Sequence, residues 1–261
     1  MNKTLRYILL AVCGVALASC IVVAVIAGSR SRKAVTCTGL KVAVLDSMQN
    51  SFVSGADIRN YLDKEYGQYV GMAADSIDLT RIEDIIDGRS AVLKSQAYVT
   101  RDGVLHVDVT QRKPVVRFQK SDGGFYADAD GYIFPLQRTY ASHVQIIDGH
   151  IPLAANSGYK GAIEDPKEKE WFRNMMNVVN YIEKSRTWRD KIVQISVDAK
   201  KDLILIPREG NEMFLFGQPT DIEEKFRKME KYYTHIIPAK GEGHYRTVDL
   251  KYKGQIVCKE K

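Results

Sequence analysis

The 261-residue chain has only four cysteines, and none of them falls in a metal-binding or redox spacing. There is no C-x-x-C, no H-E-x-x-H and no cluster of Cys and His with ligand spacing, which excludes the zinc and thiol-redox motifs readable from sequence. Cys13 and Cys20 lie in an apolar run, where they act as small hydrophobes. Cys37 and Cys258 remain for a disulfide, without a pattern that requires one. Catalytic motifs are equally scarce. Ser157-Gly158-Tyr159-Lys160 has S-x-x-K spacing, but the accompanying S-D-N and K-T-G boxes are missing. Asp128-Ala129-Asp130-Gly131 starts like a calcium loop, yet Thr139 stands where the bidentate Glu belongs, so a hairpin turn is expected. The five histidines are scattered, and no carboxylate pair is set for acid–base work. The expectation is a chain that is not an enzyme, with no cofactor, no metal and no small-molecule substrate.

An excess of one charge is also lacking once the charges are located. The formal net charge is +6, but five of the 38 Lys and Arg (Lys3, Arg6, Arg30, Arg32 and Lys33) flank one apolar stretch. The remaining 33 face 32 Asp and Glu. No basic stripe with interleaved aromatics remains, so a nucleic-acid partner is not expected.

One long apolar run is present, Tyr7 to Gly28, with no charged residue between Arg6 and Arg30. About 20 apolar residues at ~1.5 Å rise match a hydrocarbon core of roughly 30 Å. No later segment approaches that length. The run reads as an uncleaved anchor. A second reading takes Leu17-Ala18-Ser19-Cys20 as a lipobox with Cys20 lipidated, although Ile21 to Ala27 stays apolar where a lipoprotein usually turns polar. The flanking positive charges are nearly balanced and leave orientation open.

After a basic linker, Leu40–Leu45 alternates as a strand. Ser54 precedes a helix with Ile58, Tyr61 and Leu62 in phase, and a second helix over Asp78 to Ile86 stops at Gly88. Strands over Ala91–Thr100 and Val104–Thr110 are joined by Asp102-Gly103, a tight-hairpin signal. This is a small β-α-α-β-β unit. Beyond Pro114 come short strands at Val115–Phe118, Phe125–Ala127 and Tyr132–Phe134. Asp165-Pro166-Lys167-Glu168 is a capping box opening a helix with Trp171, Met175, Val178, Val179 and Ile182 on one stripe. Strands follow at Ile192–Val197, Leu203–Pro207 and Met213–Phe216. Thr220–Glu223 is expected to cap a helix aligning Ile222, Phe226, Met229 and Tyr233, and Tyr245 to Val257 alternates toward the end. The fold class is α+β, with helices covering one face of a largely antiparallel sheet.

Taken in order, these elements resemble the bacterial cell-division family FtsQ/DivIB. Gln111-Arg112-Lys113-Pro114-Val115-Val116 is similar to the family's E-R-x-P-V-A junction. Tyr126 to Phe134 resembles its Y-x-x-D-x-x-G-x-x-F hairpin, slightly contracted. Phe216-Gly217, then Glu224-Lys225-Phe226 and Tyr232, resembles L-G…E-K-L…Y. Val248-Asp249-Leu250-Lys251-Tyr252-Lys253-Gly254-Gln255-Ile256-Val257 resembles V-D-L-R-Y-x-x-G-x-A-V. Asp202 replaces the aromatic that commonly follows the basic pair, and Cys258-Lys259 stands in place of a terminal Trp.

The resemblance implies a cytoplasmic head (1–6), one transmembrane helix (7–28), a linker (29–36), a POTRA domain (37–113) and a β-domain (114–261) beyond the bacterial inner membrane. It implies a division scaffold at the septum that binds FtsB/FtsL-like partners by accepting a strand at a sheet edge. That edge falls at about Thr247–Cys258, with Tyr252, Gly254, Ile256 and Val257 as contacts and Lys200 and Lys201 as nearby positive charge. The alternative is a POTRA-bearing factor for envelope protein translocation or outer-membrane assembly.

Overall fold

The computed structural model describes residues 12–26, 35–48, 51–137 and 140–260. Residues 12–26 form a helix, α1, exposed along its length. Among the described residues no helix is long and apolar enough to cross a membrane. The rest of the expected 7–28 span, the head and most of the linker lie outside the described residues. The chain divides into two units, Met1–Gln111 and Arg112–Lys261.

In the first unit β1 (Gly39–Val44) is followed by α2 (Gly55–Glu65), a 3-10 turn (Ala74–Ser76) and α3 (Leu79–Asp87). Then come β2 (Val92–Val99) and β3 (Val104–Gln111), in sheet order β1-β3-β2 with β1 parallel and β2 antiparallel to β3. The helices start where side chains satisfy their free N–H groups. Ser54 accepts from Asp57 N–H while Asp57 accepts from Ser54 N–H, a full capping box, and Asp78 caps α3 through Arg81 N–H. Ile58 and Leu62 of α2 and Ile82 and Ile86 of α3 are fully buried, as are Leu105, Val107 and Val109, which alternate inward along β3. Each such side chain contributes on the order of 1.5–3 kcal/mol on burial. Gly103 turns the hairpin at φ +84°, and a Cβ there would overlap the Thr36 carbonyl.

The second unit is one ten-stranded sheet with helices packed on its buried side. It comprises β4 (Pro114–Phe118), β5 (Phe125–Asp128), β6 (Tyr132–Pro135), β7 (Gln145–Gly149), β8 (Gly161–Ala162) and α4 (Pro166–Lys184). Next are β9 (Ile192–Val197), β10 (Leu203–Pro207), β11 (Met213–Gly217), α5 (Ile222–Lys231), a π turn (Tyr232–Ile236) and α6 (Ile237–Lys240). β12 (Tyr245–Asp249) and β13 (Val257–Glu260) close it. The order is β13-β12-β11-β10-β9-β7-β4-β5-β6-β8. β4–β7, β7–β9 and β11–β12 run parallel and the other pairs antiparallel. The core joins inward residues of the strands to Phe172, Met175, Val179 and Ile182 of α4 and Phe226 and Met229 of α5.

Three local expectations are corrected. Asp165 caps α4 through Lys167 and Glu168 N–H, but Glu168 turns outward to accept from Ala154 N–H, so the reciprocal half of the box is absent. Trp171 packs against the core as expected, and the neighbouring Phe172, in the second turn of α4, is buried more deeply. α5 has no side-chain cap, because Asp221 itself adopts the left-handed conformation at φ +52°. Finally, Thr247–Cys258 is not one strand: β12 ends at Asp249, residues 250–256 turn, and β13 begins at Val257.

Candidate partner-binding edge

β12 is hydrogen-bonded on both sides, parallel to β11 and antiparallel to β13. It therefore offers no free edge, which corrects the placement of the edge over Thr247–Cys258. The free edge is β13, the outermost strand on that side of the sheet. Its register, Asp249↔Val257, Val248↔Cys258 and Thr247↔Lys259, gives the strand a defined inner and outer side. Side chains alternate accordingly. Ile256 and Cys258 pack against the core, whereas Val257, 44 % exposed, and Lys259 face water. Ile256 thus serves the core, and Val257 is available to a partner. Burial raises the Cys258 thiol above its ordinary pKa, and all four cysteines are free.

The turn that presents β13 is held by α5. Lys228 is buried, and its ammonium donates to the Leu250 carbonyl at 3.1 Å and the Tyr252 carbonyl at 2.7 Å. It also pairs with Glu224 at 3.1 Å, and Glu224 accepts the Gly254 N–H at 3.3 Å. Those two bonds, the Lys228 one first, hold the Glu224 carboxyl below its ordinary value. Gly254 sits at φ +71°, a conformation open to glycine. Tyr252 is 55 % exposed on the outside of this turn.

Lys200 and Lys201 lie on the exposed turn between β9 and β10, shaped by Asp198, whose carboxylate accepts from Lys200 and Asp202 N–H. Lys201 is left-handed at φ +66°. The neighbouring Asp202 joins this turn to the C-terminal one. It lies 3.7 Å from Lys251 and accepts from Gln218, whose carbonyl accepts from the buried Lys225 ammonium at 2.7 Å. One corner therefore carries Lys200, Lys201, Tyr252 and Gly254, while Ile256 and Val257 lie on the strand leaving it. Lys251 and Lys253 at the same corner, and Lys259 on the edge, were not singled out by the sequence, although the alternation Lys251-Tyr252-Lys253 was there to read.

At the start of the unit, Arg112 donates to Asp128 at 2.8 Å and lies over the Tyr132 ring at 3.4 Å. The other Asp128 oxygen accepts from Asp130 and Tyr132 N–H, so the Asp-x-Asp-Gly sequence builds a hairpin. Among the described residues no group of His, Cys, Asp and Glu could hold a metal ion.

A search of curated proteins finds no match to the chain. The POTRA-like domain family matches residues 35–110, and the family described as FtsQ/DivIB, C-terminal related, matches residues 113–259, more than half of the chain. The second match contains the whole corner and all but the last residue of β13. The chain belongs to the FtsQ/DivIB family of bacterial cell-division proteins.

Proposed function

We propose that this protein is a non-catalytic scaffold of the bacterial divisome that captures a strand of an FtsB/FtsL-like partner on the outer side of β13. The observation that carries the reading is the position of β13. It is the terminal strand of a ten-stranded sheet, with Val257 and Lys259 facing solvent. An unpaired row of N–H and C=O groups recruits an extended segment through backbone bonds, and alternating side chains set which segment is accepted. Val257 offers an apolar contact. Tyr252 at the adjoining turn offers an aromatic one, and Lys200 and Lys201 with Lys251 and Lys253 give the corner positive charge for acidic partner residues. Lys259 and Glu260 on so short an edge discourage indiscriminate pairing.

In the same reading, residues 7–28 cross the inner membrane with the amino terminus in the cytoplasm. The POTRA unit and the β-unit then lie in the periplasm, where they bring partners together at the septum.

Affinity capture of the full-length chain from solubilised membranes tests this. Alternate N–H groups of a strand point to opposite sides, so Cys258→Pro and Lys259→Pro act on opposite hydrogen-bonding sides of β13. One of the two is expected to lose the FtsB/FtsL-like pair while melting as the parent does. The other disturbs β12 pairing and lowers the melting temperature. Recovery of the pair with both variants would overturn edge capture.

A further inference from the structure

A cleft of about 620 Å³ opens where β10 turns into β11, with Asp190, Lys191, Arg208, Glu212, Tyr233 and Glu242 among its walls. Glu212 is the unusual member. It is only 4 % exposed, yet it is a carboxylate. Its Oε1 accepts from the Tyr233 hydroxyl at 3.2 Å, while Oε2 takes no hydrogen bond and no ion pair among the described residues. Gly210 lies directly over the carboxylate, and a Cβ there would overlap Oε2. With one oxygen bonded and the other open to the cleft, the carboxylate can take an entering donor or cation in place of water.

The cations already in the cleft do not pair with that oxygen. The Lys191 ammonium lies over the Tyr233 ring, 4.7 Å from its centroid, and Arg208 donates through Nε to the Asp190 carbonyl at 3.0 Å. Four carboxylates, of Asp190, Glu209, Glu212 and Glu242, line the cleft against these two cations. Burial, with the Glu212 charge next, pushes the Tyr233 phenol well above its ordinary value, so it remains a neutral donor. The π turn that carries Tyr233 is a local irregularity of a kind frequent at functional sites.

We propose that this cleft receives a lysine or arginine side chain of a partner peptide, its cation closing on Glu212 Oε2 and its aliphatic stem lying along Tyr233, Ile237 and Pro207. A long basic side chain buries its stem while its head is paired, and the cleft is large enough to take the flanking backbone as well. The inference rests on Glu212 and not on strand capture at β13.

Trp188 supplies the readout, its ring centroid 6.1 Å from that of Tyr233. The full-length chain in non-ionic detergent, carrying Trp171→Phe so that Trp188 is the only tryptophan, is titrated with acetyl-Gly-Lys-Gly-amide, acetyl-Gly-Arg-Gly-amide and the norleucine analogue. A saturable fluorescence change is expected with at least one basic peptide. The norleucine peptide should bind at least tenfold more weakly, and Glu212→Gln should weaken basic-peptide binding at least tenfold. Absence of saturable binding by both basic peptides, equal binding of norleucine, or unchanged binding by a folded Glu212→Gln chain would each overturn the proposal. The norleucine comparison is made in the parent chain, so it decides even if the Gln variant does not fold.

Discussion

The Lys228 ammonium and the Glu224 carboxylate lie 3.1 Å apart, one turn apart on α5, and together they hold three backbone groups of the turn that leads into β13. Neither residue is in the strand. A helix buried on the other side of the turn thus fixes where the sheet edge begins. Removing Lys228 leaves the Leu250 and Tyr252 carbonyls without their donor and Glu224 without its cation. Lys228→Met is expected to destabilise the second unit by about 2–4 kcal/mol, since charged hydrogen bonds contribute roughly 1.5–3 kcal/mol each and are not additive. Denaturant unfolding of the full-length chain in detergent measures the loss. Limited proteolysis should show cleavage appearing first between residues 250 and 256.

The Glu224 contribution is pH-dependent with a definite sign. Its folded pKa lies below the ordinary 4.5, so the stabilisation is complete above about that pH and is lost as pH falls through the depressed folded value. Melting temperature measured from pH 6 downward should therefore fall more steeply for the parent than for Glu224→Gln. Parallel curves would show that Glu224 does not anchor the turn.

Arg112 and Asp128 form a nearly buried pair at 2.8 Å, with side chains 14 % and 9 % exposed. Arg112→Leu strands the carboxylate and is expected to cost about 3–5 kcal/mol. Asp128→Asn keeps an oxygen for the Asp130 and Tyr132 N–H groups and should cost less. Thermal unfolding of the two variants checks the order.

Ser54→Ala in the first unit removes one half of a reciprocal cap and is expected to cost about 1 kcal/mol. Amide exchange should quicken in the first turn of α2 and leave the second unit unchanged.

The first unit was legible because each of its elements announces itself locally. Ser54 with Asp57 and Asp78 with Gly88 bound the helices, and β3 alternates without interruption. In the second unit most strands and α4 were legible one by one, but their pairing was legible only where strands are hairpin neighbours, as with β5–β6 and β10–β11. β7, the short segment Gln145–Gly149, lies between β4 and β9 and is parallel to both, so no local turn marks its place. The C-terminal segment alternates across Tyr252–Gly254 as though it were one strand. Only the Lys228 and Glu224 bonds, from residues over twenty positions earlier, show that it turns there. Glu212 was hidden for a related reason. Next to Gly210-Asn211 it reads as a polar hairpin residue, and its hydrogen-bond partner, Tyr233, comes from a distant element. Ile256 and Val257 could not be told apart until the β12 register assigned one to the core and the other to solvent.

Hydrogen–deuterium exchange of the full-length protein, with and without a soluble FtsB/FtsL-like pair, tests strand capture most directly. Capture at β13 predicts that the outward amides among Val257–Glu260 slow at least tenfold when the pair is added, while those of the opposite edge, β8, do not change. Unaltered exchange in β13 with saturating partner bound, or protection appearing at β8 instead, would contradict it.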